Sequence, residues 1–262
     1  MSTDKQTYES DDVVTFYRSL EGLQKPEQTI LKIIQPAITG GQVLDIGVGG
    51  GRTTLALCTN ARKYVGIDYS EKMIAACQER FSDVPRSVSF SVCDVRDMHR
   101  FTDRTFDVVM CSFNGLDYMS HEDRLVALQE IRRVCTPGGW FVFSTHNLWY
   151  VERLFSYMQI LRRCKRRPHR FPLEVLITHR RRLLNPGFQQ LPRREYAILK
   201  DGVHEFRLNV YYVKPLYQIE QLHRAGFANA RVFSLSKGLE IDPPELDKNR
   251  DPWLYFVCQP MT

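Results

Sequence analysis

Several things are missing from this 262-residue chain. No apolar run approaches the roughly 18 residues that a membrane-spanning helix needs, so no membrane partner is expected. The opening Met-Ser-Thr-Asp-Lys-Gln-Thr lacks the apolar centre of a secretory signal, which makes the cytoplasm the expected compartment. The seven cysteines are scattered, odd in number and nowhere spaced Cys-x-x-Cys, which predicts neither a disulfide framework nor a zinc site. No group of His, Cys, Asp and Glu has metal-ligand spacing, and a metal-independent reaction is expected. Internal repeats and low-complexity tracts are absent too. Acids are nearly absent from one stretch: residues 162–182 hold nine Arg/Lys against Glu174 alone. With a net charge of +6 overall, that segment carries +8 and the remainder −2.

What is present is ordinary in bulk. The chain is 43% hydrophobic and 25% charged, as expected of one large globular domain, with or without an insertion. Its centre is Val43-Leu44-Asp45-Ile46-Gly47-Val48-Gly49-Gly50-Gly51-Arg52, which reads as a short buried strand, a glycine loop and the start of a helix near Thr53. Glycines there let the backbone turn sharply and approach a ligand, and the helix aims free N–H groups at it. Two residues argue against a dinucleotide. Arg52 occupies the sixth position, where the G-x-G-x-x-G pattern needs a small side chain. Asp45 places a carboxylate where a pyrophosphate would be repelled and an ammonium attracted. A nucleoside with a cationic amino-acid tail, such as S-adenosylmethionine, fits better.

Around that loop strand and helix alternate. Residues 1–20 suit a short amphipathic helix, and Glu27–Ile38 a second, with Ile30, Ile33, Ile34 and Ile38 on one side. Both could cap the sheet, or Tyr8 or Tyr17 could close the ligand site as a lid. Thr53–Cys58 is the first core helix. Tyr64–Asp68 is the second strand, ending in an acid placed to accept from two ribose hydroxyls. Ser70 opens a helix with Met73, Ile74, Cys77 and Phe81 inward. Val88–Cys93, Phe106–Phe113 and Trp140–Ser144 are further strands, with a helix over Arg124–Cys135. Five alternations predict an α/β fold, a doubly wound parallel sheet with its ligand beyond the carboxyl ends of the strands. Gly47, Asp68, Asp94, Phe113-Asn114 and His146 all fall at such ends.

Residues 148–190 break the pattern. Leu148–Arg163 could form one amphipathic helix. Arg194–Leu199 and His204–Val213 read as a hairpin turned at Asp201-Gly202, Pro215–Ala225 as a helix, and Ala230–Leu235 and Trp253–Cys258 as final strands.

These residues resemble the class I S-adenosylmethionine-dependent methyltransferases. Val43–Gly51 resembles their glycine motif, Asp68 their ribose-binding acid, and Cys93-Asp94-Val95 their adenine element. Phe106-Asp107-Val108-Val109 resembles the strand-four motif, and Arg133–Gly139 the turn before strand five. The likeness covers residues 40–147 well and 214–259 loosely; 148–213 match nothing in the general pattern. It implies a seven-stranded, mostly parallel Rossmann-like sheet of order 3-2-1-4-5-7-6, with a lid inserted between strand five and the last helix. The implied division is a helical cap (1–40), the cofactor-binding core (41–147), an inserted substrate lid (148–213) and the rest of the core (214–262).

By the same resemblance, Gly47, Gly49 and Gly51 lie under the methionine moiety of S-adenosyl-L-methionine, with Asp45 positioning its ammonium. Asp68 binds the ribose, Asp94 accepts from the adenine amino group and Val95 packs on the ring; Tyr69, Phe113 and Tyr17 are expected at the same site. His146 is the preferred base and Asn114 the group that orients the acceptor; each could equally serve turn chemistry. His121, His179 and His204 are weaker candidates. The expected reaction moves a methyl group to oxygen or nitrogen of a small molecule. The basic segment could bind an acidic small molecule, contact RNA phosphates in an RNA methyltransferase, or be a solvated loop. A non-catalytic cofactor-binding protein is a third reading.

Overall fold

In the computed structural model, which describes residues 3–165 and 168–261, the alternation is realised as a nine-stranded sheet. The chain opens with α1 (Thr3–Tyr8), α2 (Asp11–Ser19) and α3 (Lys25–Ile38). The core follows as β1 (Gln42–Ile46), α4 (Thr54–Cys58), β2 (Lys63–Asp68), α5 (Glu71–Arg80) and β3 (Val88–Val92). Then come β4 (Phe106–Cys111), α6 (His121–Val134) and β5 (Cys135–Asn147). The insertion supplies α7 (Val151–Leu154), α8 (Tyr157–Cys164), α9 (Phe171–Leu184), β6 (Tyr196–Leu199) and β7 (Val210–Val213). The chain closes with α10 (Pro215–Arg224), β8 (Phe227–Ser234) and β9 (Trp253–Pro260).

The strands β3-β2-β1-β4-β5 are parallel, and β9 then β8 complete the far edge antiparallel. This is the expected 3-2-1-4-5-7-6 arrangement, with two strands added. Both faces are covered, as a parallel sheet requires. Leu44, Val109, Phe141 and Phe143 belong to a core with Leu128 and Ile131 of α6 and Leu222 of α10. Val43, Val108 and Val142 belong to another with Ile30, Ile34 and Ile38 of α3. Among the described residues no helix is long and apolar enough to cross a membrane.

The added strands place the insertion over the site. Strand β4 ends at Cys111, opposite Phe143, whereas β5 runs on to Asn147. There β7 pairs with it in parallel, His146 to Tyr212 and Asn147 to Val213, while β9 pairs on the other side through Trp253. The insertion hairpin therefore continues the sheet above the carboxyl end of β4.

Two expectations inside the insertion are corrected. Leu148–Arg163 is not one helix. Asn147 Oδ1 accepts the Trp149 N–H and starts a tight turn, and Phe155 turns inward to stack on Phe188 at 5.0 Å, separating α7 from α8. Nor is the hairpin closed by a two-residue turn at Asp201-Gly202. Ten residues join β6 to β7, with His204, Glu205 and Phe206 all at positive φ. Such conformations cost roughly 1–3 kcal/mol each and persist only where packing enforces them. Here the Asp201 carboxylate does so, accepting from the Val203 N–H and the Tyr212 hydroxyl.

Candidate functional site

The loop after β1 turns through Gly47 (φ +66°) and Gly49 (φ +52°), conformations costly for residues with a Cβ. Its shape is locked to the next strand. The Gly49 N–H donates to Asp68 Oδ2 (3.1 Å), and the Ser70 N–H donates to Oδ1 of the same carboxylate (2.9 Å). Asp45, one strand over, is buried and accepts from Thr53 Oγ1 (2.7 Å) and the Tyr64 hydroxyl (2.8 Å). Burial outweighs these donors in both acids, pushing each carboxyl up to about 6. Two acids held by neutral donors mark a place that a cationic or hydroxyl-rich ligand would complete.

The carboxyl ends of β1, β2 and β4 open on a cavity of about 760 Å³. Of the residues expected there, Gly47, Gly49, Asp68, Tyr69, Asp94, Val95, Phe113 and Tyr17 line it. The Asp94 carboxylate is already gripped by Arg96, through Nε (3.0 and 3.1 Å) and a terminal nitrogen (2.5 Å), and Arg96 also reaches Asp123 (2.9 Å). Asp45 and Gly51 stand off this cavity. Asp45 borders a small cleft of about 30 Å³ behind the glycine loop, shared with Gly47, Tyr17 and Phe113. At Gly51 (φ +79°) an added Cβ would meet the Phe81 ring at the end of α5, so this glycine serves packing.

A roof of aromatics comes from three separate segments. Tyr8 sits 5.9 Å from Tyr17, and 5.7 Å from both Tyr69 and Tyr118 (ring centroids). Burial raises the Tyr8 and Tyr118 hydroxyls well above their ordinary range and Tyr17 to about 12. These hydroxyls are therefore neutral donors at physiological pH. From the insertion, Ile198 and Asn209 reach the cavity.

His146 and Asn114 are brought together but lie behind the wall formed by Phe113, Gly115 and Leu116. Phe113 (φ +57°) and Asn114 (φ +63°) are consecutive non-glycine residues in the left-handed region, a strained turn at the end of β4. Asp117 Oδ2 accepts both the backbone N–H and Nδ1 of His146, each at 2.7 Å. An ionised carboxylate only accepts, so Nδ1 carries the hydrogen and Nε2 is the open nitrogen. It faces Asn114 Nδ2 at 3.4 Å, and Asn114 Oδ1 is buried without a partner. The other Asp117 oxygen accepts from Arg124 and Thr145 Oγ1, both at 2.7 Å.

The other histidines have plain duties or new ones. His121 accepts or donates with the Tyr211 hydroxyl (2.8 Å) and stacks on Tyr196 (4.1 Å). His179 is exposed beside Tyr157. His204 approaches the rings of Tyr8 (5.8 Å) and Tyr17 (6.1 Å), and burial followed by the nearby Arg207 lowers its pKa.

Asp117 and Glu27 were not singled out from sequence. Glu27 is buried under α3's first turn and takes Arg52 bidentately (2.6 Å twice), with Ser112, Tyr255 and the Gln24 N–H as further donors. Arg52 in turn lies 5.3 Å over the Phe113 ring, steadying the strained turn. The basic segment does not line the cavity among the described residues. Arg181 donates to the Asp201 carbonyl, Arg182 to the Phe155 carbonyl, and Arg180 covers Phe206; Arg166 and Arg167 lie outside the described residues.

The parallel 3-2-1-4-5 order, the antiparallel closing pair, the glycine loop and the buried acid ending β2 define the class I S-adenosylmethionine-dependent methyltransferase fold. Residues 43–139 match the family described as a methyltransferase domain. That match covers 97 of the 262 residues. A ubiquinone biosynthesis O-methyltransferase of Thiobacillus denitrificans is 31% identical over 111 residues, 42% of this chain and 46% of that protein. The CcbJ methyltransferase of Streptomyces caelestis superposes with a TM-score of 0.62 at 16% identity, covering 99% of this chain and 100% of that one. The 1,6-didemethyltoxoflavin N1-methyltransferase of Burkholderia thailandensis, solved with bound 1,6-didemethyltoxoflavin and S-adenosylhomocysteine, gives a TM-score of 0.58 at 13% identity, covering 99% of this chain and 88% of that one. These two likenesses show the fold. In sequence the chain spans about half the length of the curated relatives it matches.

Proposed function

We propose that the chain transfers a methyl group from S-adenosyl-L-methionine to oxygen or nitrogen of a small, neutral, largely apolar or aromatic molecule. The observation that carries the reading is the Asp68 carboxylate, tied to the glycine loop through Gly49 and open to the cavity. After the Gly49, Ser70 and Tyr69 backbone donors, the carboxylate retains a lone pair for a ribose hydroxyl. Gly47 and Gly49 receive the amino-acid end, with the Asp45 charge one step behind them in the adjoining cleft, while Asp94, Val95 and Tyr69 hold the base. The bound group supplies an activated methyl on a sulfonium.

The chain's own residues then act chiefly by positioning, which is worth roughly 7–11 kcal/mol of barrier, and by excluding water. Tyr8, Tyr17 and Tyr118 cover the cavity with neutral hydroxyls and aromatic faces, which suits an uncharged acceptor. Asp117 fixes the tautomer of His146, and His146 steadies Asn114; once the Phe113–Leu116 wall in front of this pair shifts, the unpartnered Asn114 Oδ1 accepts from the incoming hydroxyl or amine. The His146–Asn114 contact at 3.4 Å is loose, so a closer donor on the acceptor displaces it and gives its proton to Nε2. Residues 1–40 and 148–213 act as cap and lid on a core of 41–147 and 214–262. The relatives' chemistry on small molecules supports this reading.

Its test is calorimetry with S-adenosylmethionine on wild type and Asp68→Ala, followed by S-adenosylhomocysteine release across phenolic and amine acceptors. Unchanged affinity in the variant removes the ribose assignment, and release only with charged acceptors removes the neutral one.

A further inference from the structure

The helical part of the insertion has a surface that packing against the core does not explain. On α8, Ile160 and Cys164 turn inward, while Met158 (62% exposed) and Leu161 turn out. On α9, Leu173 (52%), Leu176 (64%) and Leu183 (68%) are spaced three and seven residues apart, so they share one solvent-facing stripe. Thirteen large apolar side chains are markedly exposed among the described residues, and six of them fall within 158–184. The others are scattered. Exposed cations accompany these residues: Arg162 on α8, Lys165 at its end, Arg170 just before α9, and Arg180 at the leucine spacing, where it also covers Phe206. Glu174 is the only acid in the segment.

We propose that this α8–α9 face docks on the surface of an anionic phospholipid bilayer, with leucines in the interface and cations on lipid phosphates. Each half of the observation excludes another occupant. A second copy of the chain would set two +8 segments against each other. An RNA backbone would satisfy the cations and leave three aligned leucines in water. A neutral bilayer would take the leucines and leave the cations unused. A helix with an apolar stripe and basic flanks meets an anionic interface on both counts. The rest of the chain, net −2, is then turned away from the lipid. No spanning helix is required, so the expectation of no membrane partner is revised only for peripheral contact.

Docking would also be felt above the cavity. Arg181 of α9 holds the Asp201 carbonyl and Arg180 lies 4.7 Å over Phe206, at either end of the strained loop that carries His204. The proposal stands independently of methyl transfer.

The experiment is vesicle co-sedimentation of the full chain. One set of vesicles is phosphatidylcholine with about one-third phosphatidylglycerol, the other phosphatidylcholine alone, each at low and moderate salt. Expected is partition onto the anionic vesicles only, weakening as salt rises. Leu176→Glu with Leu183→Glu should cut partition by tenfold or more. Arg162→Gln, Lys165→Gln and Arg170→Gln together should cut it about a hundredfold, at about fivefold per cation removed. Circular-dichroism melting and cofactor calorimetry must match wild type in both variants. If the glutamates unfold α9, Leu176→Ser with Leu183→Ser takes their place. No partition, equal partition onto neutral vesicles, or partition unchanged by loss of the leucines overturns the proposal. So does binding of bulk RNA without vesicle binding, or a dimer that the leucine variant disperses.

Discussion

Replacing Asp68 with alanine removes a side chain that both ties down the glycine loop and lines the cavity. Its oxygens accept the backbone N–H groups of Gly49, Ser70 and Tyr69, and the remaining lone pair can take a ribose hydroxyl. A hydrogen bond to a charged acceptor is worth about 1.5–3 kcal/mol, so losing it costs roughly 10–10² in affinity. The assay is isothermal calorimetry with S-adenosylmethionine and, separately, S-adenosylhomocysteine. Both carry the diol and only the first carries the sulfonium charge. Equal losses for the two ligands mean that Asp68 acts on the ribose. A loss confined to the charged ligand, or one smaller than tenfold for either, refutes the assignment. The pH dependence supplies a second check. Burial raises the Asp68 and Asp45 carboxyls to about 6, and donors on a bound ligand pull them back down. Affinity should therefore be full above pH 6 and fall as pH drops through it, by up to tenfold per unit for each acid that must lose a proton. Stability has the opposite sign. A raised folded-state pKa penalises the charged form, so the destabilisation from these acids is complete above pH 6. It fades as pH falls towards their unfolded value near ~4. A wild-type affinity flat from pH 7.5 to about 5 would contradict the role of both acids.

Other perturbations separate catalysis from packing. His146→Ala should lower turnover by about 10²–10⁴ while leaving S-adenosylhomocysteine affinity within twofold; unchanged turnover removes it as the base. Asp117→Ala strands the fully buried Arg124 guanidinium and should cost about 3–5 kcal/mol, read as a fall in denaturant midpoint. Glu27→Ala should destabilise comparably, since it leaves Arg52, Ser112 and Tyr255 without their shared acceptor. Gly50→Ala tests the cap: its Cβ would sit inside contact distance of the Tyr17 carbonyl. Cofactor affinity should fall and proteolysis ahead of residue 22 should quicken. Wild-type behaviour in that variant would mean α2 does not need its seat on the loop.

The parts of this protein that could be read in advance are those written in local spacing. The glycine loop, the acid ending β2 and the alternation of strand and helix each lie within about thirty residues. The handedness of the crossovers then leaves few sheet orders. What escaped was written across distance without periodicity. Glu27 finds Arg52, and Asp117 finds His146, only because α3 and the turn after β4 are folded over the same strand ends. Nothing in Gly115-Leu116-Asp117 marks its acid as the one that fixes a histidine tautomer. Gly50 is glycine because α2 crosses it; Gly51 answers to Phe81, and Asp45 to a cleft one step behind the cavity. The insertion was the hardest, since its defining contact is two residues of β7 paired to an overhang of β5. That overhang exists because β5 outlasts β4. It sets His146 between Tyr212 and Trp253, at ring distances of 4.9 and 6.0 Å, and makes the roof of the cavity part of the sheet. Residues 148–213 and the core are therefore coupled through hydrogen-bonded backbone as well as side-chain packing. A Tyr212→Phe change, which removes only the hydroxyl that the Asp201 carboxylate accepts, should then loosen the His204 loop without touching the cavity wall. Hydrogen exchange should quicken over residues 201–208 and not at β7 itself; equal protection in both proteins would place the strain-holding contact elsewhere.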